Sequence, residues 1–350
     1  MDNLTVLVTG SGAPGIKGTL YSLQNNFDHR KIRTVGTDIR KDAVGRYLCD
    51  SFYSIPRPNS EDYLSSLLSV CKKEHVAVLL PQNTAELSIL ARHKQEFEDL
   101  GTAVAVSDAG PINVANDKGK LLAVAEEIGL PVPRFFRADK MEALLAYARR
   151  LGWPEKRVVV KPPVSNGMRG LRIIDESLDL KRSFYEEKPT SVLLKMNDLQ
   201  NILGESFPAL LVTEFLPGEE LTVDALSAGR LTVVPRTRDR ITSGITFDGT
   251  VKEDRSVIDY SERLSRKVCL KYAFGFQFKL DGEGRACLLE SNPRIQGTMV
   301  LATFAGANII YGAVKHALGE EVPDFEIKWG TRILRYWGGL GIREELLCAL

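Results

Sequence analysis

Residues 288–294 read LLESNPR, an apolar pair followed by oxygen-bearing side chains, a proline and an arginine. Alternation along a strand places Glu290 and Asn292 on the same side, and Gln277 on the preceding predicted strand can face them across the hairpin. Carboxylate and amide oxygens of this kind suit Mg²⁺ that bridges phosphates. The stretch therefore predicts an oxygen-rich metal and phosphate site on a hairpin.

Arg294 follows the proline-fixed turn of the same stretch. Its planar guanidinium fits the neutralisation of charge that develops on a transferred phosphoryl group. A plain Asn-Pro turn is the alternative, but it accounts for Asn292 alone and leaves Glu290 and Arg294 without a role.

Lys161 closes a short valine strand predicted over residues 157–161. The flanking apolar side chains would leave its ammonium partly desolvated, and such a charge needs an anionic partner, which a nucleotide phosphate would supply. The alternative is a lysine that extends from the strand end into solvent.

A glycine-containing loop follows this strand and precedes another strand predicted over residues 171–174. Its two glycines, small polar side chains and single cation are suited to folding donors over triphosphate oxygens. A mobile surface loop is the alternative. The residues concerned are Ser165, Asn166, Gly167, Met168, Arg169 and Gly170.

Residues 214–220 form a predicted strand that runs into a turn. Free backbone groups at an apolar strand edge can hydrogen-bond an adenine, and a carboxylate on the next turn can hold a ribose diol. An ordinary hairpin with solvated acidic side chains is the alternative.

The front of the chain contains a second glycine motif. Residues 10–15, GSGAPG, match G-x-G-x-x-G after a predicted strand, with Asp38 at the end of the next strand, as in dinucleotide-binding proteins. Such a loop binds through backbone N–H groups that approach an anion at a helix N-terminus, and this does not specify which anion is bound. A dinucleotide site, a cradle for a substrate anion and a packing turn all remain open, whereas a Walker A loop is excluded because Ile16 separates Gly15 from Lys17.

Strands alternate with helices over the first third of the chain, which predicts parallel βαβ units. The predicted first domain is α/β and covers residues 1–113, with its exit at the turn signal Gly110-Pro111. Helices and the glycine loop follow over residues 114–209. Hairpin-like glycine turns between later strands predict an α+β domain on an antiparallel sheet over residues 210–350.

Composition narrows the function classes. The 350 residues contain 46 Lys and Arg against 45 Asp and Glu, a net charge of +1, so no overall field favours nucleic acid or a membrane surface. Five cysteines without metal-ligand spacing argue against a disulfide framework or zinc site. No apolar run reaches the ~18 residues of a membrane span. We expect a cytoplasmic protein.

The ordered motifs, together with Lys118, resemble those of the ATP-grasp superfamily, and most closely the carbamoyl-phosphate-synthase-like branch of carboxylate-amine ligases. The resemblance covers nearly the whole chain and implies that the first domain is a pre-ATP-grasp domain. The chain matches one of the two synthetase halves of a carbamoyl phosphate synthase, without a glutaminase-like segment. An amide, Gln277, stands where the most common motif has an acid.

The resemblance implies a role for each motif. Nucleotide phosphates would be bound by Lys118 and Lys161 and covered by the loop from Ser165 to Gly170. The adenine hinge would be Glu214, Phe215 and Leu216, and the ribose would contact Glu220. One or two Mg²⁺ ions, or Mn²⁺, would be held by Gln277, Glu290 and Asn292. Arg294 would stabilise the transferred phosphoryl group. Substrate contacts would come from Gly12, Gly15, Arg236 and Arg238, although the two arginines fit solvated strand ends equally well.

These implications favour an ATP-dependent ligase that joins a small-molecule carboxylate to an amine through an acyl phosphate. Two alternatives stay open: a nicotinamide-dependent oxidoreductase built on residues 10–15, and an ATP-binding regulatory protein without turnover. A homodimer is the base-rate expectation for the oligomeric state. The two substrates and the general base are not specified by any motif.

Overall fold

The computed structural model of the chain describes residues 4–165, 167–187, 191–242, 244–343 and 346–349. Its first part is a parallel sheet with strands β1 (Leu4–Val8), β2 (Ile32–Asp38), β3 (Ser51–Ser54), β4 (Val78–Leu80) and β5 (Ala103–Val104). The spatial order β3-β2-β1-β4-β5 confirms the predicted α/β domain. Buried parallel strands need cover on both faces, which here comes from α1 (Ile16–Gln24), α2 (Gly45–Leu48), α3 (Tyr63–Lys73), α4 (Leu87–Arg92) and α5 (Lys94–Glu98).

The predicted exit turn at Gly110-Pro111 is wrong, because both residues lie within helix α6 (Ala109–Ala115). Proline is tolerated in the first turn of a helix, where its missing N–H has no partner to lose. A proline near a glycine therefore marks a helix start here.

The second part is a mixed sheet. Its strands are β6 (Phe135–Lys140), β7 (Val158–Lys161), β8 (Arg172–Ile174), β9 (Leu193–Leu194) and β10 (Ser206–Glu214), in the order β6-β10-β7-β8-β9. The accompanying helices are α7 (Lys118–Glu127), α8 (Met141–Arg150), α9 (Leu180–Glu186) and α10 (Met196–Leu203). The predicted boundary between residues 209 and 210 falls inside β10, which pairs along its length with β6 and β7. We propose residues 215–219 as the boundary instead.

The third part contains an antiparallel sheet of β11 (Glu220–Ala228), β12 (Arg230–Thr237), β15 (Tyr272–Leu280) and β16 (Ala286–Asn292), in the order β12-β11-β15-β16. Beside it lie β13 (Arg240–Thr242), β14 (Ile245–Thr250) and β17 (Arg332–Leu334), and then the hairpin of β18 (Leu340–Arg343) and β19 (Leu346–Ala349). Helices α11 (Arg255–Val268), α12 (Val300–Phe304) and α13 (Ile309–Ala317) complete this part. The predicted antiparallel sheet is confirmed.

The two faces of this antiparallel sheet have different environments. Val223, Phe276 and Phe278 belong to an apolar core shared with helices α7 and α11. Alternation sends Thr222 and Asp224 to the opposite face. Helix α13 covers one end of that face, and the remaining end carries polar side chains and forms the floor of a cavity.

The first and third parts share one hydrophobic core. Leu20 and Leu23 of α1 pack with Leu301 of α12 and Ile310 of α13. The opening parallel sheet is therefore fixed against the antiparallel sheet. Among the helices of the described residues, none is both long enough and apolar enough to cross a membrane.

Candidate functional site

One transverse row of the antiparallel sheet brings four polar side chains together. Arg236 lies opposite Thr222, Thr222 opposite Gln277, and Gln277 opposite Glu290. Neighbours in such a row project from the same face. All four line a cavity of about 660 Å³, here called the sheet cavity. The predicted placement of Gln277 opposite Glu290 is confirmed.

A bulge in β16 aims Glu290 into the sheet cavity. Gln277 pairs with Glu290 while Phe278 pairs with Leu288, so Leu289 is an extra residue. Without it, strict alternation would put Leu288 and Glu290 on one face. The bulge lets Leu288 stay in the apolar core while Glu290 faces the cavity, a way in which bulges re-aim side chains at functional sites.

Lys118 is the first residue of α7, whose N-cap Asp117 accepts hydrogen bonds from the N–H groups of Gly119 and Lys120. The Lys118 ammonium is buried, donates to the Ser165 carbonyl oxygen at 2.9 Å and lies 3.3 Å from a Glu290 carboxylate oxygen. The helix start thus connects the glycine loop to β16 and places a cation at the sheet cavity.

Lys161 ends β7 and is 5% exposed, with its side chain in the wall of the sheet cavity. The pKa of its ammonium is lowered to about 8, chiefly by burial and also by the neighbouring Lys118, whereas Glu290 and Glu220 oppose the shift. Within the described part of the chain, no carboxylate lies within ion-pair distance of it. The alternative in which Lys161 extends into solvent is therefore wrong. The site holds a buried cation that a bound anion would stabilise.

The glycine loop lies beside these lysines. Ser165, Gly167 and Met168 line the sheet cavity, whereas Arg169 and Gly170 lie outside its lining. Gly167 and Met168 both adopt positive φ angles, of 59° and 61°, a conformation that glycine enters readily and other residues rarely. The predicted contact residue Asn166 lies outside the described residues.

Arg294 connects the sheet cavity to the first domain. Its Nε donates to the Thr84 hydroxyl at 2.9 Å, and one Nη donates to the Ile295 carbonyl oxygen at 2.8 Å. Burial lowers the pKa of the guanidinium, an effect that Glu290 and Glu86 oppose. The arginine is thus held at the cavity wall by a residue far away in sequence.

Arg236 and Arg238 are not solvated strand-end arginines, so that alternative is wrong. The Arg236 side chain is 3% exposed and pairs at 2.7 Å with Asp224, which is fully buried. Arg238 pairs with Glu220 and donates to the Gly244 carbonyl oxygen at 2.7 Å. Both line the sheet cavity.

The charges around the sheet cavity do not balance. Among the described residues, the lining contains five cationic side chains and two carboxylates, namely Lys118, Lys161, Arg236, Arg238 and Arg294 against Glu220 and Glu290. Even with Asp224 beneath Arg236, cations are in excess. An enclosed surplus of positive charge favours a polyanion, since walls of low dielectric focus the field.

The predicted adenine hinge lies outside this lining. Glu214 accepts hydrogen bonds from the Arg134 backbone N–H at 2.9 Å and from its Nε at 3.0 Å, and Leu216 is buried. The Phe215 ring lies under the Arg157 guanidinium, 5.6 Å from the ring centroid. Of the predicted nucleoside contacts, Glu220 alone lines the cavity in the described residues.

Three consecutive N–H donors of the front glycine motif are occupied by hydrogen bonds within the protein. The Ser11 N–H donates to the Thr37 carbonyl oxygen at 2.9 Å, the Gly12 N–H to the Asp38 carboxylate at 2.8 Å and the Ala13 N–H to the Gly10 carbonyl oxygen at 2.9 Å. Asp38, the expected ribose ligand, is thereby bound to the loop itself. This arrangement supports the packing turn over the dinucleotide site.

Gly15 serves close packing between domains. A Cβ on Gly15 would lie 2.6 Å from the Gly297 Cα, a distance at which backbone must move. Gly297 lines the sheet cavity. Gly12 lines a different cavity, described below, and Gly15 lines neither among the described residues.

The donor set fits Mg²⁺. Glu290 supplies a carboxylate, and Gln277 and Asn292 supply amide oxygens in the same wall, which is the hard oxygen chemistry that Mg²⁺ takes together with phosphates. The Thr222 hydroxyl, next to Gln277 in the row, is buried and without a hydrogen-bond partner in the structure as described. Clusters of three His, Cys, Asp or Glu side chains are absent from the described residues, as the mixed set implies.

Sequence inspection missed three residues of the floor. Thr222 belongs to the transverse row, Asp224 holds Arg236, and the Gln296 amide donates to Asp224 at 3.0 Å and to the Val223 carbonyl oxygen at 2.9 Å. Gly275 leaves the space that Gln296 occupies. An isolated acid in an apolar strand was the one available signal for Asp224.

Two family models match the chain. The model described as ATP-grasp in the biosynthetic pathway with Ter operon matches residues 206–335, and the PylC-like N-terminal domain matches residues 6–105.

Curated relatives include the carbamoyl phosphate synthase large chain of Clostridium perfringens, which is 25% identical over 95% of this chain. The large chain of Caldanaerobacter subterraneus is 25% identical over 76% of this chain. The present chain spans 31% and 24% of the length of these two relatives.

Solved structures share the fold. N5-carboxyaminoimidazole synthetase from Staphylococcus aureus, solved with ADP, superposes with a TM-score of 0.67 at 15% identity, over 93% of this chain and 80% of that one. Biotin carboxylase from Campylobacter jejuni, a beta-gamma-ATP complex, gives 0.68 at 17% identity over 94% and 74%.

Proposed function

We propose that the chain is a member of the ATP-grasp superfamily and an ATP-dependent carboxylate-amine ligase, as the two matching family models and the curated relatives support. The reaction would release ADP and phosphate and form an amide bond between two small molecules. The observation that carries the proposal is the surplus of buried cations beside the oxygen row of the sheet cavity.

In the first step, a carboxylate oxygen of the substrate bonds to the γ-phosphorus of ATP as the bond from that phosphorus to the β–γ bridging oxygen breaks. ADP leaves, and an acyl phosphate forms. In the second step, an amine nitrogen attacks the acyl carbon, phosphate leaves and the nitrogen loses a proton.

Both steps bring anions together, so their barrier is largely electrostatic. Lys118 and Lys161 would hold the phosphates, and Arg294 would face the charge that develops on the transferred group. Glu290, Gln277 and Asn292 would hold one or two Mg²⁺ ions, or Mn²⁺, which polarise phosphoryl oxygens when bound.

Water would hydrolyse the acyl phosphate, so its exclusion is part of the proposed function. Ser165, Gly167 and Met168 already form one wall of the cavity. Closure of this loop over bound ATP would remove the remaining solvent. In the described residues, no histidine lines the cavity, and we propose that the amine proton leaves to solvent or to a carboxylate of the protein.

The test is ADP release from Mg-ATP in the presence of pooled carboxylic acids and amines, after a thermal-shift comparison of Mg-ATP with NADH. We expect stabilisation by Mg-ATP and ADP formation that depends on the pool. Stabilisation by NADH alone would favour the oxidoreductase, and stabilisation by Mg-ATP with no ADP from any pool would favour the regulatory protein. Mass spectrometry of the product would identify the substrates, and sedimentation would test the proposed homodimer.

A further inference from the structure

A second cavity, of about 630 Å³, lies between the front glycine motif and the C-terminal segment. We call it the aromatic cavity. Its walls come from the start of α1, from β14, from α12 and from residues 333–340. Its size is typical of sites for small organic molecules. The proposed function assigns it no occupant.

Aromatic side chains dominate its walls. The Phe247 and Trp337 rings lie 4.8 Å apart, and the Tyr21 and Phe304 rings 5.0 Å apart in an edge-to-face arrangement. Tyr336 and Trp337 are 77% and 78% exposed at the mouth. Large exposed aromatic surface around a concave site is a feature of ligand pockets. The walls therefore fit an apolar group.

The charges of the aromatic cavity have a single sign. Lys17 and Arg335 line it, and over the described residues no aspartate or glutamate does. The Arg335 side chain donates to the Gly297 carbonyl oxygen at 2.6 Å, while its buried Nε has no hydrogen-bond partner. A guanidinium with unused donors is suited to binding a carboxylate through two hydrogen bonds. An amine would meet two like charges here.

Arg335 also stands at the border of the two cavities. Gly297, its hydrogen-bond partner, lines the sheet cavity, and Ile245 lines both. A carboxylate held at Arg335 would face the side on which ATP is proposed to bind, with its apolar body among the aromatic rings. The geometry points to an acyl substrate, rather than an amine substrate, in the aromatic cavity.

Resting on the proposed function, we propose that the carboxylate substrate of this chain is an aryl or large aliphatic acid, whose body fills the aromatic cavity and whose carboxylate is bound by Arg335. Small acids such as propionate or bicarbonate leave this cavity empty and are poor substrates.

The test separates charge from side chain with three probes: 3-phenylpropionate, propionate and 2-phenylethylamine. Saturation-transfer NMR measures binding of each probe to the protein alone. Hydroxamate formation from Mg-ATP, hydroxylamine and each acid measures activation, because the hydroxylamine nitrogen attacks the acyl phosphate carbon, phosphate leaves and a proton passes to solvent. No natural amine is needed.

We expect 3-phenylpropionate to bind and to yield hydroxamate at least about tenfold more efficiently than propionate, and 2-phenylethylamine not to bind. Trp337→Ala, at a position that is 78% exposed, should raise the KM for 3-phenylpropionate by about tenfold. Arg335→Gln should raise it by about tenfold or more. Phe184→Ala removes an 81% exposed aromatic ring outside both cavities and should change neither the binding of 3-phenylpropionate nor its KM.

Three results would overturn the inference. Equal or better hydroxamate yield from propionate would do so while leaving the ligase intact. So would transfer signals from 3-phenylpropionate that survive Trp337→Ala unchanged. So would a dimer in sedimentation that Trp337→Ala dissociates, since a second copy would then cover the mouth. If no acid yields ADP, the ligase proposal fails by itself, and binding of 3-phenylpropionate but not 2-phenylethylamine still decides the chemistry of the cavity.

Discussion

Two glycine loops follow strands in this chain, residues 10–15 after β1 and residues 165–170 after β7, and they use glycine differently. In the first, N–H groups of residues 11–13 donate to Thr37, Asp38 and Gly10, and Gly15 lets the backbone approach Gly297 closely. The second turns through positive φ angles beside two buried lysines. The loop with the better-known motif is thus a packing element, while the loop with the weaker motif lies at the electropositive cavity. A glycine pattern predicts backbone freedom, and its surroundings determine its use.

The strongest test of this contrast removes the carboxylate of the oxygen row. Glu290→Gln should reduce Mg²⁺-dependent ADP formation on the order of 10³-fold, because the remaining proposed ligands are neutral and Lys118 loses its anionic partner. Steady-state ADP release checks it. Glu219→Gln is the matched control, on an exposed turn outside the cavity. Wild-type rates of ADP release in Glu290→Gln would contradict the assignment of Glu290 as a Mg²⁺ ligand.

Gly15→Val tests the packing role of the front loop. The added side chain meets the Gly297 backbone, so we expect about 2–3 kcal/mol of destabilisation and a melting temperature about 5 °C lower. Thermal denaturation measures this. Gly110→Ala, where a Cβ meets nothing within 4 Å, should leave stability unchanged or slightly higher. Unchanged melting of Gly15→Val would contradict the close contact.

The second loop's neighbourhood predicts a pH dependence. The pKa of Lys161 is lowered to about 8 by burial, and bound phosphates would raise it again, so binding takes up a proton above pH 8. Affinity for Mg-ATP should therefore fall as pH rises, by about fivefold between pH 8 and 9. Calorimetry in buffers of different ionisation enthalpy checks the proton uptake. Lys161→Met should bind weakly without this dependence, and a flat wild-type profile would place the phosphates elsewhere.

The smallest expected effect concerns the acid of the front motif. Asp38→Asn should change ADP formation by less than about twofold and cost about 1 kcal/mol of stability, because its carboxylate accepts the Gly12 N–H and does not line the sheet cavity. Activity and melting of the purified variant measure both. A loss of activity comparable to that of Glu290→Gln would indicate that the front loop takes part in the reaction.

The sequence predicted those parts of the fold and site that depend on local spacing. Gln277 and Glu290 belong to one hairpin, so strand alternation alone placed them opposite each other. Thr222 pairs with a strand about fifty residues away in sequence, and no local pattern specifies that register. The burial of Arg236 is a different case, because its partner Asp224 lies only 12 positions earlier on the same hairpin and strand alternation could have found it.

The predicted adenine hinge shows a second limit. The sequence 214–216 suggested free groups at a strand edge, but the Glu214 carboxylate is bound by Arg134, which is eighty positions earlier in the chain. Likewise, the Thr84 hydroxyl that holds Arg294 lies 210 positions before it. Contacts between such distant segments follow from tertiary packing, which periodicity does not encode.

Through the hydrogen bond from Arg294 to Thr84, the opening domain positions a side chain in the wall of the sheet cavity and is more than an attached module. Replacing this front domain with that of a distant relative would keep the two lysines that are proposed to bind ATP. It would remove the hydrogen-bond partner of the Arg294 guanidinium. We therefore expect a chimera with the proposed turnover to need a hydroxyl at the position of Thr84.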